Sequence, residues 1–249
     1  MEGGMDIEGC TALVTGANRG LGKSYVDALF ARGATKVYAG ARDPATITDP
    51  RATPLRLDVT SAEQVAAAAA ACPDVTLLIN NAGAMLAKPI LDPQAEAALR
   101  AELDVNAFGV LRMAHAFAPI LAANAGGAIV NMLSVVSWYV YPFNATYCAS
   151  KYAALAISNA LRIQLKAQGT HVMGVYAGFI DTDMTARVDG AKTSPKQVAE
   201  RTLEGLRVGL HHVHADEAAV QLWEALKSDP AEVEERAQQL WDEGRAWSV

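Results

Sequence analysis

Tyr147 and Lys151 stand four residues apart in the run Tyr147-Cys148-Ala149-Ser150-Lys151. On a helix that spacing puts both side chains on one face, a turn apart. A cation beside a phenol favours phenolate, so the ordinary pKa of about 10 is expected to fall toward working pH. A phenol tuned in this way can give a proton to a carbonyl oxygen or take one from an alcohol. An amphipathic helix with an exposed lysine has the same spacing, and the pair alone does not choose between the two.

A second chemical signal is the glycine-rich turn Thr15-Gly16-Ala17-Asn18-Arg19-Gly20-Leu21-Gly22, which follows a β-rich stretch and precedes a helical pattern. Glycines there allow a tight turn and close approach of backbone to a pyrophosphate, while the helix N-terminus offers unpaired N–H groups and a positive dipole end. The Gly-x-x-x-Gly-x-Gly spacing differs from the commoner Gly-x-Gly-x-x-Gly fingerprint, and a turn without a ligand is the plain alternative. The next β-rich stretch ends in Ala39-Gly40-Ala41-Arg42-Asp43. In dinucleotide folds an acidic residue here binds the ribose 2′-hydroxyl, whereas an arginine accommodates a 2′-phosphate. Small Ala41 followed by Arg42, with Arg19 as a second cation, predicts NADP(H) over NAD(H). The competing reading gives the ribose to Asp43 and leaves Arg42 in solvent.

The elements that must position these groups are short β-rich stretches alternating with longer helical patterns, the form of βαβ units around a buried parallel sheet. Strands are expected at residues 11–15, 36–40, 55–58, 75–80, 128–133, 171–176 and 211–214. Helices are expected at 20–32, 62–71, 93–123 with a kink near Gly109, and 146–167, with two more in a tail running from Asp216 to Trp247. The 249 residues, 51% hydrophobic and 19% charged, suit one domain over 1–249. A net charge of -6 without a Lys/Arg block weighs against nucleic acid. No apolar run reaches the roughly 18–20 residues of a spanning helix, and Met1-Glu2-Gly3-Gly4 opens no signal sequence, so no membrane partner is expected. Cys10, Cys72 and Cys148 are too few and scattered for a disulfide framework or zinc knuckle and fit a cytoplasmic protein. His211, His212 and His214 resemble a metal cluster, but strand alternation splits them between faces; an edge strand without metal is the preferred reading.

With the glycine turn, Asn80-Asn81-Ala82-Gly83, Asn106, Ser134, Tyr147 and Lys151 in this order, the chain resembles the short-chain dehydrogenase/reductase family over about residues 11–184. The resemblance implies an α/β, Rossmann-like doubly wound parallel sheet of about seven strands in the order 3-2-1-4-5-6-7, with helices on both faces. It implies a catalytic tetrad of Asn106, Ser134, Tyr147 and Lys151. Tyr147 would exchange the proton, Ser134 would hold the substrate oxygen, and Lys151 would lower the Tyr147 pKa and bond the nicotinamide ribose. Asn106 would sit at a helix irregularity and hold a water on the proton path. Around the cofactor it implies the turn residues Gly16, Asn18, Arg19, Gly20, Leu21 and Gly22 on the phosphates, with Arg42 beyond them. Asp58 and Val59 would contact adenine, and Asn81, Ala82 and Gly83 would line the adenosine side. Gly178, Ile180 and Thr182 would lie beside the carboxamide. Two departures stand out: Ala177 replaces a proline, and Ser137 falls where relatives usually have glycine.

Trp138, Tyr139, Val140, Tyr141, Pro142 and Phe143 lie between Ser134 and Tyr147 in a chain only 6% aromatic. With Met85, Phe179 and Met184 they are expected to wall a pocket for an apolar or aromatic ketone, aldehyde or alcohol. Packing of these rings against the tail or a neighbouring subunit is the alternative. The short segment 185–192 predicts an open cleft. Apolar residues on more than one side of helices 107–123 and 146–167, including Leu155, Ile157, Leu161 and Leu165, predict a homodimer or homotetramer. The expected activity is NADPH-dependent carbonyl reduction or alcohol oxidation; imine reduction on the same scaffold and a non-catalytic, nucleotide-sensing protein are the rivals.

Overall fold

Seven short strands pair in parallel to form one sheet: β1 (Thr11–Thr15), β2 (Lys36–Ala41), β3 (Thr53–Arg56), β4 (Leu77–Asn80), β5 (Ala128–Met132), β6 (His171–Tyr176) and β7 (His212–His214). Their order is 3-2-1-4-5-6-7, as expected, with the reversal between β1 and β4. The computed structural model describes residues 4–244; the opening Met1-Glu2-Gly3 and the expected helical end at Trp247 lie outside the described residues. Eight helices are described: α1 (Gly20–Ala31), α2 (Ala62–Ala71), α3 (Ala95–Leu103), α4 (Gly109–Ala123), α5 (Ala145–Gln164), α6 (Pro195–Arg207), α7 (Glu217–Ser228) and α8 (Pro230–Asp242).

Strand alternation divides the core in two. Ala12 and Val14 of β1 face a cluster completed by Tyr25 and Leu29 of α1 and by Val198, Leu203 and Leu206 of α6. Leu13 faces the opposite cluster, with Val65 of α2, Met113 and Phe117 of α4 and Leu161 of α5. Leu13 is fully buried, and burying a side chain of this size contributes about 1.5–3 kcal/mol. The near poly-alanine α2 buries only Val65 and Ala68, and its start is fixed by Ser61, whose hydroxyl accepts the Gln64 N–H at 3.2 Å.

Several elements differ from the expected bounds by a few residues at an end, and two of the departures have clear physical reasons. Strand β3 begins at Thr53 and ends at Arg56 rather than spanning 55–58, because it is the sheet edge, where Pro54 forfeits no interior hydrogen bond. The chain then turns at Asp58, whose carboxylate accepts the Thr60 N–H at 2.9 Å and its hydroxyl at 2.7 Å. The expected kink near Gly109 is a π-helical turn, Asp104–Phe108, in which the Gly109 N–H reaches back to the Asp104 carbonyl. Gly109 is needed for another reason: a Cβ there would lie 2.8 Å from Val59 Cγ2. The helical run through Ala95–Ala123 is long and apolar enough to cross a membrane, although no such segment was expected; here it packs against α2 and α5 as a layer on the sheet.

Candidate active site

The glycine turn leaves β1 at Thr15, whose buried hydroxyl accepts the N–H groups of Asn81 (3.0 Å) and Ala82 (2.9 Å) beyond β4. Asn81 returns the tie through its side-chain amide, donating to the Thr15 carbonyl at 2.9 Å and the Gly16 carbonyl at 3.2 Å. Gly16 has φ 65, and a Cβ at Gly22 would lie 2.0 Å from the Gly16 oxygen, so neither position admits a side chain. The N-terminus of α1 carries no side-chain cap at Arg19. Its first N–H groups, at Gly20, Leu21 and Gly22, therefore suit an anion. Leu21 buries its side chain in the core and offers only its main chain, while Asn18 is half-buried beside it. Arg19 is exposed and pairs with Asp183 at 2.9 Å, spanning from the glycine turn to the segment after β6.

At the end of β2 the competing roles of Arg42 and Asp43 separate. Asp43 caps the turn Pro44–Thr46, its carboxylate accepting the Ala45 N–H at 3.1 Å. Arg42 is exposed, and Arg56, which the sequence reading did not single out, lays its guanidinium 3.4 Å from the Arg42 carbonyl. Burial works to raise the Asp58 carboxyl, but its Thr60 bonds together with Arg42 and Arg112 hold it below its usual value. Val59 is buried against Gly109 in the α2–α4–α5 cluster.

Asn106 lies within the π-helical turn and is 2% exposed. Its side chain bonds at both ends: Nδ2 donates to the Ala84 carbonyl at 2.8 Å and to Ser150 Oγ at 2.9 Å, and Oδ1 accepts the Ala84 N–H at 2.9 Å. The amide therefore fixes the segment after Gly83 to α5. Ser134 follows β5 directly; its hydroxyl lies 3.4 Å from the Ala177 carbonyl and 3.4 Å from the Val136 N–H. Ser137 answers by accepting the Ser134 N–H at 3.3 Å, which gives the serine at the usual glycine position a defined task. Ala177 also accepts the Val135 N–H at 3.1 Å, so its buried carbonyl holds the Ser134 turn without a proline ring.

Tyr147 and Lys151 share a face of α5 as their spacing predicts, with Lys151 Nζ 5.6 Å from the Tyr147 ring centre. The electrostatics run opposite to the expectation. Burial, followed by Cys148 and Glu102, pushes the phenol well above its ordinary value, and the hydrogen bond to the Ser134 side chain only partly opposes this. Lys151 is 5% exposed and donates to the Met132 carbonyl at 2.8 Å; burial brings its pKa down to about 8. Spacing alone could not register desolvation, which is the largest cause of the shift. The phenol thus carries its proton at neutral pH.

On the far side of the cleft the Gly178 N–H donates to Asp216 Oδ2 at 2.8 Å, and Asp216 Oδ1 accepts the Ala219 N–H at 2.8 Å. Asp216, expected only as the start of the tail, joins this segment to the first turn of α7. Ile180 bridges to Thr193, with Thr193 N–H to the Phe179 carbonyl at 2.8 Å, so the segment between them closes at its base. Thr182 precedes the turn Asp183–Thr185, its N–H donating to the Thr185 hydroxyl and its own hydroxyl to the Ile180 carbonyl, each at 3.4 Å. The Thr185 hydroxyl donates to the Ile180 carbonyl.

The aromatic segment turns largely toward the tail. Trp138 stacks on Tyr176 at 4.0 Å and meets Trp223 of α7 at 4.9 Å, and Phe143 meets Trp241 of α8 at 5.0 Å. A cavity of about 480 Å³ opens between Trp138, Tyr139, Pro142, Tyr152 and α8; Met85, Phe179 and Met184 do not line it. The expected pocket thus gives way in part to the alternative, ring packing against the tail helices. Tyr147 nonetheless lies among apolar neighbours, Val135, Val136, Tyr139, Tyr141 and Phe143. His212 is engaged with the Tyr176 hydroxyl at 2.9 Å, and His171 and His211 stack at 4.7 Å. Among the described residues no group of histidine, cysteine and carboxylate side chains is arranged to hold a metal.

Comparison with known proteins places this geometry. A model of the short chain dehydrogenase family matches residues 10–193. A short chain dehydrogenase of Burkholderia cenocepacia, solved in complex with NADP, is 41% identical, superposes with a TM-score of 0.91, and is matched over 94% of this chain and 99% of its own. An uncharacterised oxidoreductase of Staphylococcus saprophyticus is 29% identical over 87% of this chain and 99% of its own length. A stretch of 116 residues is 43% identical to the NADPH-dependent 1-acyldihydroxyacetone phosphate reductase of Schizosaccharomyces pombe, covering 47% of this chain and 38% of that protein.

Proposed function

The chain belongs to the short-chain dehydrogenase family of oxidoreductases, and from that premise we propose that it is an NADPH-dependent carbonyl reductase or alcohol dehydrogenase for apolar or aromatic ketones, aldehydes and secondary alcohols. The observation that carries the reading is the convergence of the Ser134 hydroxyl, the Tyr147 phenol and the Lys151 ammonium beyond β5, each held by a named backbone or side-chain partner. Ligands collect at the carboxyl ends of strands in open α/β sheets.

The residues present fit the cofactor. The uncapped start of α1 and the glycine-tight approach at Gly22 suit a pyrophosphate. Asp43 is occupied with its own turn, which leaves Arg42, with Arg56 beside it, to meet a 2′-phosphate, while Arg19 is paired with Asp183. The NADP complex of the Burkholderia cenocepacia relative supports the same choice. When bound, NADPH supplies the hydride that reaches the carbonyl carbon. Tyr147, protonated at neutral pH, gives its proton to the carbonyl oxygen, and Ser134 donates a hydrogen bond to that oxygen as charge develops. Lys151 lies behind the phenol to hold the nicotinamide ribose. The direction of net turnover follows the ratio of reduced to oxidised cofactor, and the same phenol returns the proton in the reverse reaction.

Apolar walls around Tyr147 support an apolar substrate. Exposed Phe108, Tyr152 and Ile163 support a homodimer or homotetramer formed through the faces of the π-helical turn and α5. The test is a panel of apolar ketones, imines and secondary alcohols assayed with NADPH and with NADH. A lower KM for NADPH and catalytic efficiency rising with the apolar surface of the ketone are expected. Preference for NADH, or indifference to substrate size, would defeat the respective assignments.

A further inference from the structure

The face of the sheet that packs against α5 is apolar until the ends of its central strands. Leu78 of β4 lies opposite Ile129 of β5, both fully buried in the cluster that Leu161 of α5 joins. The next pair on that face is Asn80 opposite Asn131. Both amides are buried, Asn131 completely, and so is Ser158 of α5. The three form a chain. Asn80 Nδ2 donates to Asn131 Oδ1 at 2.8 Å, Asn131 Nδ2 to Ser158 Oγ at 2.9 Å, and the Ser158 hydroxyl to the Ala154 carbonyl at 2.8 Å. Side chains thereby join β4, β5 and α5 inside the core.

Stability alone does not call for this chain, since replacing hydrogen-bonded partners together by apolar groups of the same shape is nearly neutral. What the amides add is direction. An apolar helix face can shift along an apolar sheet at small cost, whereas a satisfied buried network specifies one arrangement. The arrangement matters because of what stands beside it. Met132 follows Asn131 directly, and its carbonyl accepts Lys151 Nζ at 2.8 Å. Lys151 and Ser158 lie two turns apart along one face of α5. Two adjacent residues of β5 thus hold α5 at two levels, one through the ammonium and one through the hydroxyl. The other ties of α5 lead elsewhere: Ser150 accepts from Asn106 of the π-helical turn at 2.9 Å, and Arg162 donates to the Val172 carbonyl of β6 at 3.1 Å.

We propose that Asn131, bonded to Asn80 on one side and to Ser158 on the other, is a positioning residue for Lys151. It fixes α5 on β5 so that the ammonium stays on the Met132 carbonyl, ready for the nicotinamide ribose. The role deepens the reading of Lys151 as the ribose-holding group and rests on it.

The test is a double-mutant cycle on NADPH affinity, read from the fluorescence of bound NADPH, with Ser158→Ala and Lys151→Gln made singly and together. Ser158→Ala takes the acceptor from Asn131, and affinity should fall about fivefold. Asn131→Leu, which removes the same bond from the strand side, should match it. In the Lys151→Gln background the Ser158→Ala change should alter affinity by less than about twofold, since the group it acts through is gone. Ser158→Thr keeps the hydroxyl and should bind NADPH as the wild type does. If Ser158→Ala does not fold, Ser158→Cys, similar in shape but a weaker acceptor, is read in the same cycle. Wild-type affinity in the Ser158 variant overturns the proposal, and so does an equal loss in both backgrounds, which would make the chain structural only. Undiminished affinity in Lys151→Gln removes the ribose reading and the proposal together, whereas a weakened Lys151→Gln beside an unaffected Ser158→Ala removes only the role of Asn131.

Discussion

Around Thr15, Asn81 and Asn106 nearly every polar side chain is tied to the backbone of another element, whereas α8 buries no residue and meets the aromatic segment through ring contacts such as Phe143 with Trp241. The first region is fixed by directional bonds in a low-dielectric setting, where one lost partner leaves a costly orphan. The second is held by contacts that tolerate a shift of ring or helix. Geometry needed for proton and hydride transfer therefore lies in the bonded region. The tail borders the other, where, on the proposed reading, substrate shape can vary without disturbing the chemistry.

The sharpest attempt to break this contrast is Tyr147→Phe, which leaves the fold and removes the proton donor. Turnover should fall by about 10²–10⁴-fold with little change in thermal midpoint, read by steady-state kinetics and calorimetry. Next is Thr15→Val, which preserves shape but strips the acceptor from Ala82 N–H; Asn81 N–H retains the Ile79 carbonyl at 3.1 Å. A loss of about 2–3 kcal/mol is expected, seen as a thermal midpoint lowered by roughly 5–10 °C, with a higher KM for NADPH. A midpoint unchanged by this variant would mean that the bonded region is no more demanding than the tail.

Trp241→Ala should act on the softer side. The loss of its contact with Phe143 predicts about 1 kcal/mol of destabilisation and an altered ranking of bulky against small ketones, with the pH dependence of turnover unmoved. The smallest effect belongs to His212, whose pKa is lowered to about 4 by burial and by Arg162, His211 and His214. The unfolded chain binds this proton at higher pH than the folded one. Its contribution is therefore complete above about 6.5 and declines as pH falls toward about 4. Desolvation is only partial, since His212 also meets solvent at the sheet edge, and screening there keeps the effect small. His212→Asn should flatten the thermal midpoint across that window, and an equally steep profile in the variant would assign the slope elsewhere.

The fold could be read where local pattern and global placement agree. Strands β1 and β6 have the expected bounds, and the glycine turn joins β1 to α1 as its spacing implies. Strand β3 differs because Leu55 and Leu57 alternate with Arg56 and Asp58 in a strand-like pattern, while the permissive position of Pro54 depends on knowing which strand is the edge. The π-helical turn was visible only as an irregularity and was placed at Gly109, since nothing in the composition of Asp104–Phe108 announces an i to i+5 bond. Tyr147 and Lys151 were found from spacing, yet the direction of the phenol's shift depends on burial, which no four-residue pattern contains. Glu102 reads as one more surface acid on a helix until the segment 84–88 is folded over it. Arg56 and Asp216 likewise acquire meaning only through partners distant in the chain.

The carboxylate of Asp216 serves two masters: one oxygen belongs to the Gly178 main chain and the other starts α7. A joint of this kind has no slack, so the tail cannot be exchanged as an independent module. Chimaeras that graft a foreign C-terminal hairpin should inherit its grip on the strap beyond β6, and splice points placed after this aspartate should preserve the native alignment better than those placed before it.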